Sequence, residues 1–496
     1  MNHRGFRILR VSMRDRLGGA EKIAWNLTRA CRKRGHTCWM AVGQKRTGDP
    51  DVFVIPNDRA AGRWRRFWWG VHHGLQPTYG RFPGSRLLCR LAHRLAEPGG
   101  LLDRYRGIED FRYPGTWRLL KVTPEPPDII HCHNLHSNFF DLRALPWLSR
   151  QVPVVVTCHD TWLLSGHCAY SLGCDRWKTG CGACPDLTIH PAVKRDATDL
   201  NWQRKRDIFA TSKLYVASSS RWVMEQVQQS MLAPAVVESR VIPNGIDLSV
   251  FKPAQRRAVR AALGIPHDVK MLVFSANGIR ANVFKDYQTM RSALARLGQR
   301  LTGQRIILIA LGEDAPPEHI GGAEIRFIPF EPDQAVMARY YQAADVYIHA
   351  ARGEAWGLTI TEALACGTPV VATAVGGIPD QIKPLAVGPD NGGGVSQTTG
   401  ADDATGILVP MGDAEAMAAA VDRLLRDAGL CRRMGENAAL DVRARFGLGR
   451  QADAYLDWFA QILKRRAEQR GAHAAGGSFG IANDLRHPPA ELVANR

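Results

Sequence analysis

The sequence predicts an α/β protein built from two doubly wound domains. Residues 345–377 carry the first reason. Two apolar β-type runs, 346–349 and 369–372, bracket a short helical stretch that stops at Cys366-Gly367-Thr368-Pro369. Strand, loop, helix, strand is a parallel crossover unit. The second reason is that similar apolar runs alternate with helical stretches along most of the chain. The third is length: 496 residues exceed what one core holds, so two domains are expected.

Composition narrows the class. An apolar fraction of 45%, with 28 Pro and 47 Gly, fits an ordinary soluble α/β protein. No apolar run approaches the ~20 residues that cross a bilayer. The first residues lead directly into a strand and lack a signal-peptide core, so a cytoplasmic location is expected. In that compartment eleven cysteines argue for thiols or metal rather than disulfides. The net charge of +18 asks for an anionic partner. No nucleic-acid-binding signature accompanies it. An anionic membrane surface, reached peripherally at the inner face of the plasma membrane, and phosphorylated substrates rank first.

In the first half, 6–12 reads as a strand, followed by the loop Gly18-Gly19-Ala-Glu21 and a helix over 22–34 closed by Gly35. Glycines between strand and helix let backbone approach a ligand. A second strand covers 37–42. Residues 59–120 mix cations with large aromatics, as in Arg63-Trp64-Arg65-Arg66-Phe67-Trp68-Trp69, and Arg86, Arg90 and Arg94 recur every fourth residue. That composition suits a membrane interface or a lipid acceptor; a core helix with solvated arginines is the plainer alternative. Two buried strands then end in polar residues: 127–134, with His131, His133 and Asn134, and 153–160, with His159 and Asp160. Ligands of parallel sheets bind at such carboxyl ends, so these residues are expected to line a cleft and meet an acceptor.

A cysteine-rich loop follows over 165–186. Cys168, Cys174, Cys181 and Cys184 end in a C-x2-C knuckle. Four soft ligands suit a closed, structural zinc site, although the Cys168 to Cys174 spacing is wider than an ordinary first pair. A disulfide pair and four free thiols are the alternatives. After a strand over 214–218 and a helix over 221–231, Arg240-Val-Ile-Pro-Asn-Gly-Ile-Asp247 reads as a strand and tight turn.

In the second half a strand over 270–276 leads into a Gly-bearing loop with Arg280 and Lys285, a pair of cations suited to a diphosphate. Strands over 305–312 and 325–330 and a helix over 333–344 lead to the 345–377 unit. There Glu354 sits at the helix entrance and Glu362 inside it. Trp356, Gly357 and Leu358 bring backbone N–H groups to the helix N-terminus, which suits an anion, while a carboxylate accepts bonds from sugar hydroxyls. A helix cap at Glu354 and a solvated Glu362 are the plainer reading. Residues 387–404 look like an exposed insertion, helices are expected over 412–427, 428–445 and 448–466, and the Ala/Gly-rich tail from 471 is expected to be disordered.

The segment Glu354-Ala-Trp-Gly-Leu-Thr-Ile-Thr-Glu362-Ala-Leu-Ala-Cys-Gly-Thr-Pro resembles the E-x7-E signature of retaining family 4 glycosyltransferases. The resemblance covers roughly 6–466 and implies the GT-B fold, two Rossmann-like domains facing a central cleft. Residues 1–243 would form an acceptor-side domain, 244–446 a nucleotide-sugar domain, and 447–470 a helix returning to the first; 471–496 is the tail. It implies that Glu354 contacts the donor sugar, Glu362 the ribose and Lys285 the diphosphate. Arg280 matches its family position less well, and Asp286 stands where the family has Gly. Gly19 falls in the family's first glycine loop, and His159 in its strand-end histidine beside donor and acceptor. The implied activity is retaining transfer of a hexose from a UDP-, GDP- or ADP-linked donor, with no cofactor needed for catalysis. The neighbourhood of the cysteines resembles an exopolysaccharide, colanic-acid-type subgroup. A lipid-linked or glycan acceptor in cell-surface polysaccharide synthesis is therefore expected. A catalytically inactive scaffold and a basic nucleic-acid binder with a zinc knuckle are the rivals.

Overall fold

The structure, a computed structural model, describes residues 5–57, 63–79, 81–82, 84–96, 98–386 and 399–475. Most of the expected 387–404 insertion, and the tail from 476, lie outside them. The chain divides into two compact units. One comprises Met1–Ser218, Met224–Val241 and Ala452–Arg496; the other comprises Ser219–Val223 and Ile242–Gln451.

In the first unit the chain runs β1 (Arg7–Arg14), α1 (Gly19–Arg32), β2 (Thr37–Gln44), β3 (Val52–Val54), α2 (Arg63–Leu75), α3 (Ser85–Ala96), α4 (Pro98–Arg106), β4 (Ile129–His133), α5 (Leu145–Gln151), β5 (Val154–Cys158), α6 (Thr198–Ala210), β6 (Leu214–Ser218), α7 (Arg221–Gln228) and β7 (Val236–Val241). Its seven strands lie in the order β3-β2-β1-β4-β5-β6-β7, and every pairing is parallel. Parallel pairing demands crossovers and covers both faces. That is why β4 and β5 are buried at every position, the histidines of β4 included.

The second unit runs α8 (Arg256–Ala262), β8 (Lys270–Ser275), α9 (Tyr287–Arg300), β9 (Ile306–Leu311), β10 (Glu318–Ile320), β11 (Ala323–Ile328), α10 (Gln334–Ala343), β12 (Val346–His349), α11 (Leu358–Ala365), β13 (Val370–Thr373), β14 (Gly406–Val409), α12 (Ala414–Arg426) and α13 (Ala428–Arg445). The strand order is β10-β11-β9-β8-β12-β13-β14, parallel except for the edge hairpin β10–β11. One apolar core runs through it, from Met271 and Leu272 on β8 to Met434 and Val442 on α13.

The last helix, α14 (Leu448–Ala475), is longer than the 448–466 expected, and it carries residues 471–475, which the sequence assigns to a disordered tail. From Ala452 on it belongs to the first unit. There Tyr455 shares a hydrogen bond with Thr157 at 2.9 Å, and Arg466 donates to the carbonyl of Gln151 at 2.5 Å.

Candidate active site

The strand orders place two switch points, between β1 and β4 in the first unit and between β8 and β12 in the second. At a switch point neighbouring strands send their connections to opposite faces, which opens a crevice at the carboxyl ends. Each unit carries a polar cluster there.

In the second unit the loop after β8 and the segment after β12 pair with each other. Lys285 bridges Ala351, Asp286 N donates to Ala350 O at 3.1 Å, and Arg352 N donates to Phe284 O at 2.9 Å. This pairing brings the Lys285 ammonium onto the Glu354 carboxylate, and both side chains are largely buried. His349, the last residue of β12, completes the group, with Nε2 3.5 Å from Lys285 Nζ and 3.7 Å from Glu354 Oε2. Its Nδ1 lies 3.1 Å from Tyr347 Oη, which donates to Thr359 Oγ1 at 2.7 Å. Burial pushes the Glu354 carboxyl up, but Lys285 and His349 outweigh it and hold it at about 2. Burial and Lys285 lower His349 to about 4. At neutral pH the cluster therefore holds a carboxylate and a neutral imidazole.

The backbone around Glu354 is fixed from a second side. Gly377 N donates to Glu354 O at 2.8 Å. A Cβ at Gly376, where φ is +55°, or at Gly377 would collide with the carbonyls of Glu354 and Ala355. Glycine is required here by close approach as well as by conformation.

The structure revises the sequence reading at Gly357 and Arg280 and excludes a solvated Glu362. Gly357 N is not available to a ligand: it donates to Gln381 Oε1 at 3.0 Å, while Gln381 Nε2 returns a bond to Gly357 O at 2.9 Å. Gly357 is the N-cap of α11 and supplies no side-chain cap, so the turn opened by Leu358 keeps its positive end. The Trp356 indole is buried against Phe446, ring centroids 5.1 Å apart, and does not line an opening. Glu362 is not on a solvated face: it is buried inside α11 and accepts from Tyr341 Oη at 3.2 Å. Arg280 is not gathered into the cluster. Glu313 takes its guanidinium at 2.5 Å and the amides of Ile279 and Arg280 at 2.7 and 2.8 Å, and its guanidinium stacks over Phe327. Asp286 has a structural reason: its carboxylate caps α9 by accepting from Thr289 N at 3.2 Å.

In the first unit, β4 and β5 set His131 beside Val155 and His133 beside Thr157. His131 Nε2 meets Thr157 Oγ1 at 2.7 Å. His133 Nδ1 meets His159 Nε2 at 2.9 Å with the rings stacked. One proton lies between those two nitrogens, which leaves Nδ1 as the free nitrogen of His159. Burial lowers all three, His159 to about 4 and His131 and His133 well below the ordinary histidine value. Asn134 takes a positive φ of 39° and turns the chain out of β4. Asp160 accepts from Trp162 N at 3.0 Å and pairs with His136 at 3.0 Å. The attraction between them outweighs the burial that opposes it, raising His136 and lowering Asp160. At the switch point Gly19 opens α1, and burial raises the Glu21 carboxyl, which is coupled to both His136 and Asp160.

His349, His136 and Glu21 were missing from the sequence-derived site. His349 had a readable signal, a histidine closing a buried strand. His136 and Glu21 had none, because His136 pairs with Asp160 24 residues away and Glu21 sits in the first turn of α1.

The four loop cysteines are free thiols lining one pocket of about 30 Å³ with His167 and Asp186. Two of the sulfurs have partners of their own. Cys184 Sγ lies 3.3 Å from His167 Nε2, and Cys181 Sγ accepts from Gly166 N at 3.3 Å. Among the described residues no group of three or more His, Cys, Asp or Glu is arranged to hold a metal ion. The zinc expectation for Cys168, Cys174, Cys181 and Cys184 therefore finds no preformed site. Burial raises Cys168 to about 11 and Cys181 to about 12, so without a metal both are thiols at neutral pH.

Two family matches divide the chain as its units do in outline. Residues 17–250 match the family described as Glycosyltransferase Family 4, and residues 255–441 match Glycosyl transferases group 1. A D-inositol 3-phosphate glycosyltransferase of Kineococcus radiotolerans is 34% identical over 248 residues, 47% of this chain and 54% of that protein. WcaC of Escherichia coli K12, named for colanic acid biosynthesis, is 28% identical over 259 residues, 50% of this chain and 60% of that protein. The chain thus spans little more than half the length of these curated relatives. The crystal structure of Anabaena Alr3699/HepE in complex with UDP and glucose aligns over 92% of this chain and 100% of that one, with a TM-score of 0.55 at 15% identity. The structural match shows the GT-B fold, and the two family matches make the two regions of the chain similar to glycosyltransferases. The chain's two parallel sheets are the Rossmann-like halves of that fold.

Proposed function

We propose that this protein transfers a sugar, with retention of configuration, from a nucleotide-sugar donor to a lipid-linked or glycan acceptor of a cell-surface polysaccharide. The Lys285–Glu354–His349 cluster carries the reading. It sets a cation and a carboxylate, both sheltered from water, beside the uncapped N-terminus of α11 at a switch point. In the proposed complex Lys285 and the leading amides of α11 hold the donor diphosphate, and Glu354 accepts bonds from the sugar hydroxyls. The bond from the anomeric carbon to the diphosphate oxygen breaks. The leaving charge falls on Lys285 and the helix N-terminus, which stabilise it without reorganising. The acceptor hydroxyl forms the new bond to that carbon, and its proton passes to the departing phosphate oxygen. Glu362 serves the ribose from within α11. Arg280 joins the diphosphate only after releasing Glu313.

His159, neutral at pH 7, is assigned to the reaction centre as a hydrogen-bonding partner through Nδ1. Asp160, His133 and Asn134, with Glu21 and His136, are assigned to the acceptor side. The UDP complex of the Anabaena protein supports a nucleotide-sugar donor, and the WcaC match supports a polysaccharide acceptor. A thermal-shift screen with UDP, GDP and ADP, followed by the matching sugars, tests the reading. At least one nucleotide is expected to raise the melting temperature, since a ligand that binds only the folded state stabilises it. Nucleotide binding without turnover of any donor sugar would instead identify an inactive scaffold.

A further inference from the structure

We propose that the α2–α3 hairpin is a docking surface for an anionic lipid bilayer. The observation is an inverted helix. Along α3 the small residues Ser85, Cys89 and Ala92 face inward, at 1%, 1% and 3% exposure. The leucines face outward: Leu87 is 58% exposed, Leu88 46%, Leu91 41% and Leu95 40%. Positions 87, 91 and 95 follow one another at single-turn spacing, with 88 beside them, so they form one stripe turned away from 85, 89 and 92. A helix packed for water would do the reverse.

The small inward residues have a purpose, which is to let α3 lie close on α2. His72 Nδ1 meets Cys89 O at 2.9 Å, Cys89 Sγ donates to Leu75 O at 3.2 Å, and Trp64 Nε1 donates to Leu95 O at 2.9 Å. Those contacts fix the rotation of α3 and hold the leucine stripe out. On α2, Trp64 and Phe67 extend the same kind of surface, at 60% and 63% exposure. Single exposed apolar residues are unremarkable in soluble proteins, but four leucines in one helical stripe, with two large exposed aromatics on the neighbouring helix, mark an interaction site.

Charge decides what covers it. Residues 59–106 hold ten arginines and two acidic residues. Of these, Arg81, Arg86, Arg104 and Arg106 are exposed. A second protein surface would need acidic groups facing these arginines together with an apolar centre. A bilayer with anionic headgroups supplies both at once: acyl chains for the leucines, phosphates for the arginines, and an interfacial depth where Trp is at home. Among the described residues no helix is long and apolar enough to cross a membrane. The hairpin would lie on the bilayer rather than span it.

The proposal stands on the hairpin alone and does not need the transferase reading. Its test is flotation of the purified full-length protein with vesicles of phosphatidylcholine alone, or of phosphatidylcholine mixed with phosphatidylglycerol. Wild type should float with the mixed vesicles, far less with the neutral ones, and should be released by high salt. The double variant Leu87→Gln/Leu91→Gln, changed only at exposed positions, should lose at least tenfold in bound fraction. It should keep the thermal unfolding transition of wild type. Three results would overturn the proposal: wild type that stays with the soluble fraction at low salt, a variant that floats equally, or light scattering that shows a dimer which the double variant dissociates. The last would assign the patch to a second copy of the chain.

Discussion

At the scale of single residues, the site rests on a buried charge pair whose worth depends on both partners being present. Lys285 and Glu354 lie within contact distance with little water access. Removing the cation strands a carboxylate in a low-dielectric pocket, and breaking such pairs costs about 3–5 kcal/mol. Lys285→Met should therefore lower the stability of the second unit by about 3 kcal/mol in urea denaturation. Glu354→Gln should cost less, because an amide keeps the shape and needs no counter-ion. The double variant should recover most of the Lys285→Met loss, a coupling that a double-mutant cycle reads directly. Independent, additive losses would mean that the pair does not form in solution. Glu354 and Lys285 were legible in the sequence because each belongs to a local pattern. Their contact was not, since it joins positions 69 apart in the chain through a two-stranded bridge between loops. Arg280 shows the converse: a cation in the right loop, claimed by Glu313 on another strand end.

At the scale of elements, the polar residues flanking the site also build the helices that hold it. Asp286 accepts from Thr289 N as the N-cap of α9, immediately after the proposed diphosphate lysine. Asp286→Ala should cost about 1 kcal/mol, whereas Asp286→Gly, the residue the family pattern would place there, should cost only a few tenths. Chemical denaturation of the two variants checks the order, and equal losses would remove the cap from the account. The regular strands and helices were readable because period and punctuation are local. The edges were not. β3 and β10 are three residues each, too short for a pattern. α14 runs past its expected end through Arg465-Arg466-Ala-Glu-Gln-Arg470, a stretch of good helix formers without an apolar stripe. The Gln381 clamp on Gly357 depends on a residue 24 positions downstream, so the sequence overstated how many amides α11 offers.

At the scale of the whole molecule, both units bury imidazoles that must stay neutral. Burial lowers His159 and His349 from the usual 6.5 to about 4, and depresses His131 and His133 as well. For a group whose pKa is depressed by folding, the stabilisation is complete above the unfolded value. It is lost as pH falls toward the folded value, because the unfolded chain takes up the proton first. At about 1.4 kcal/mol per tenfold, His159 and His349 each contribute on the order of 3 kcal/mol at pH 7 that disappears by pH 4. Stability measured by denaturation should therefore hold above pH 7 and fall steeply from pH 6.5 to 4, and a flat profile there would show those imidazoles to be solvated. The net charge of +18 acts on partners rather than on fold, and the sequence located its arginine-rich segment without showing that the leucines beside it face outward. The central claim remains that Lys285 and Glu354 grip an activated sugar. Its most direct test is donor turnover by full-length protein with UDP-, GDP- and ADP-linked sugars, comparing wild type with Lys285→Ala and Glu354→Ala. The account predicts that one donor is consumed and that each substitution lowers the rate by a factor of about 100 or more. Wild-type turnover in either variant would contradict it.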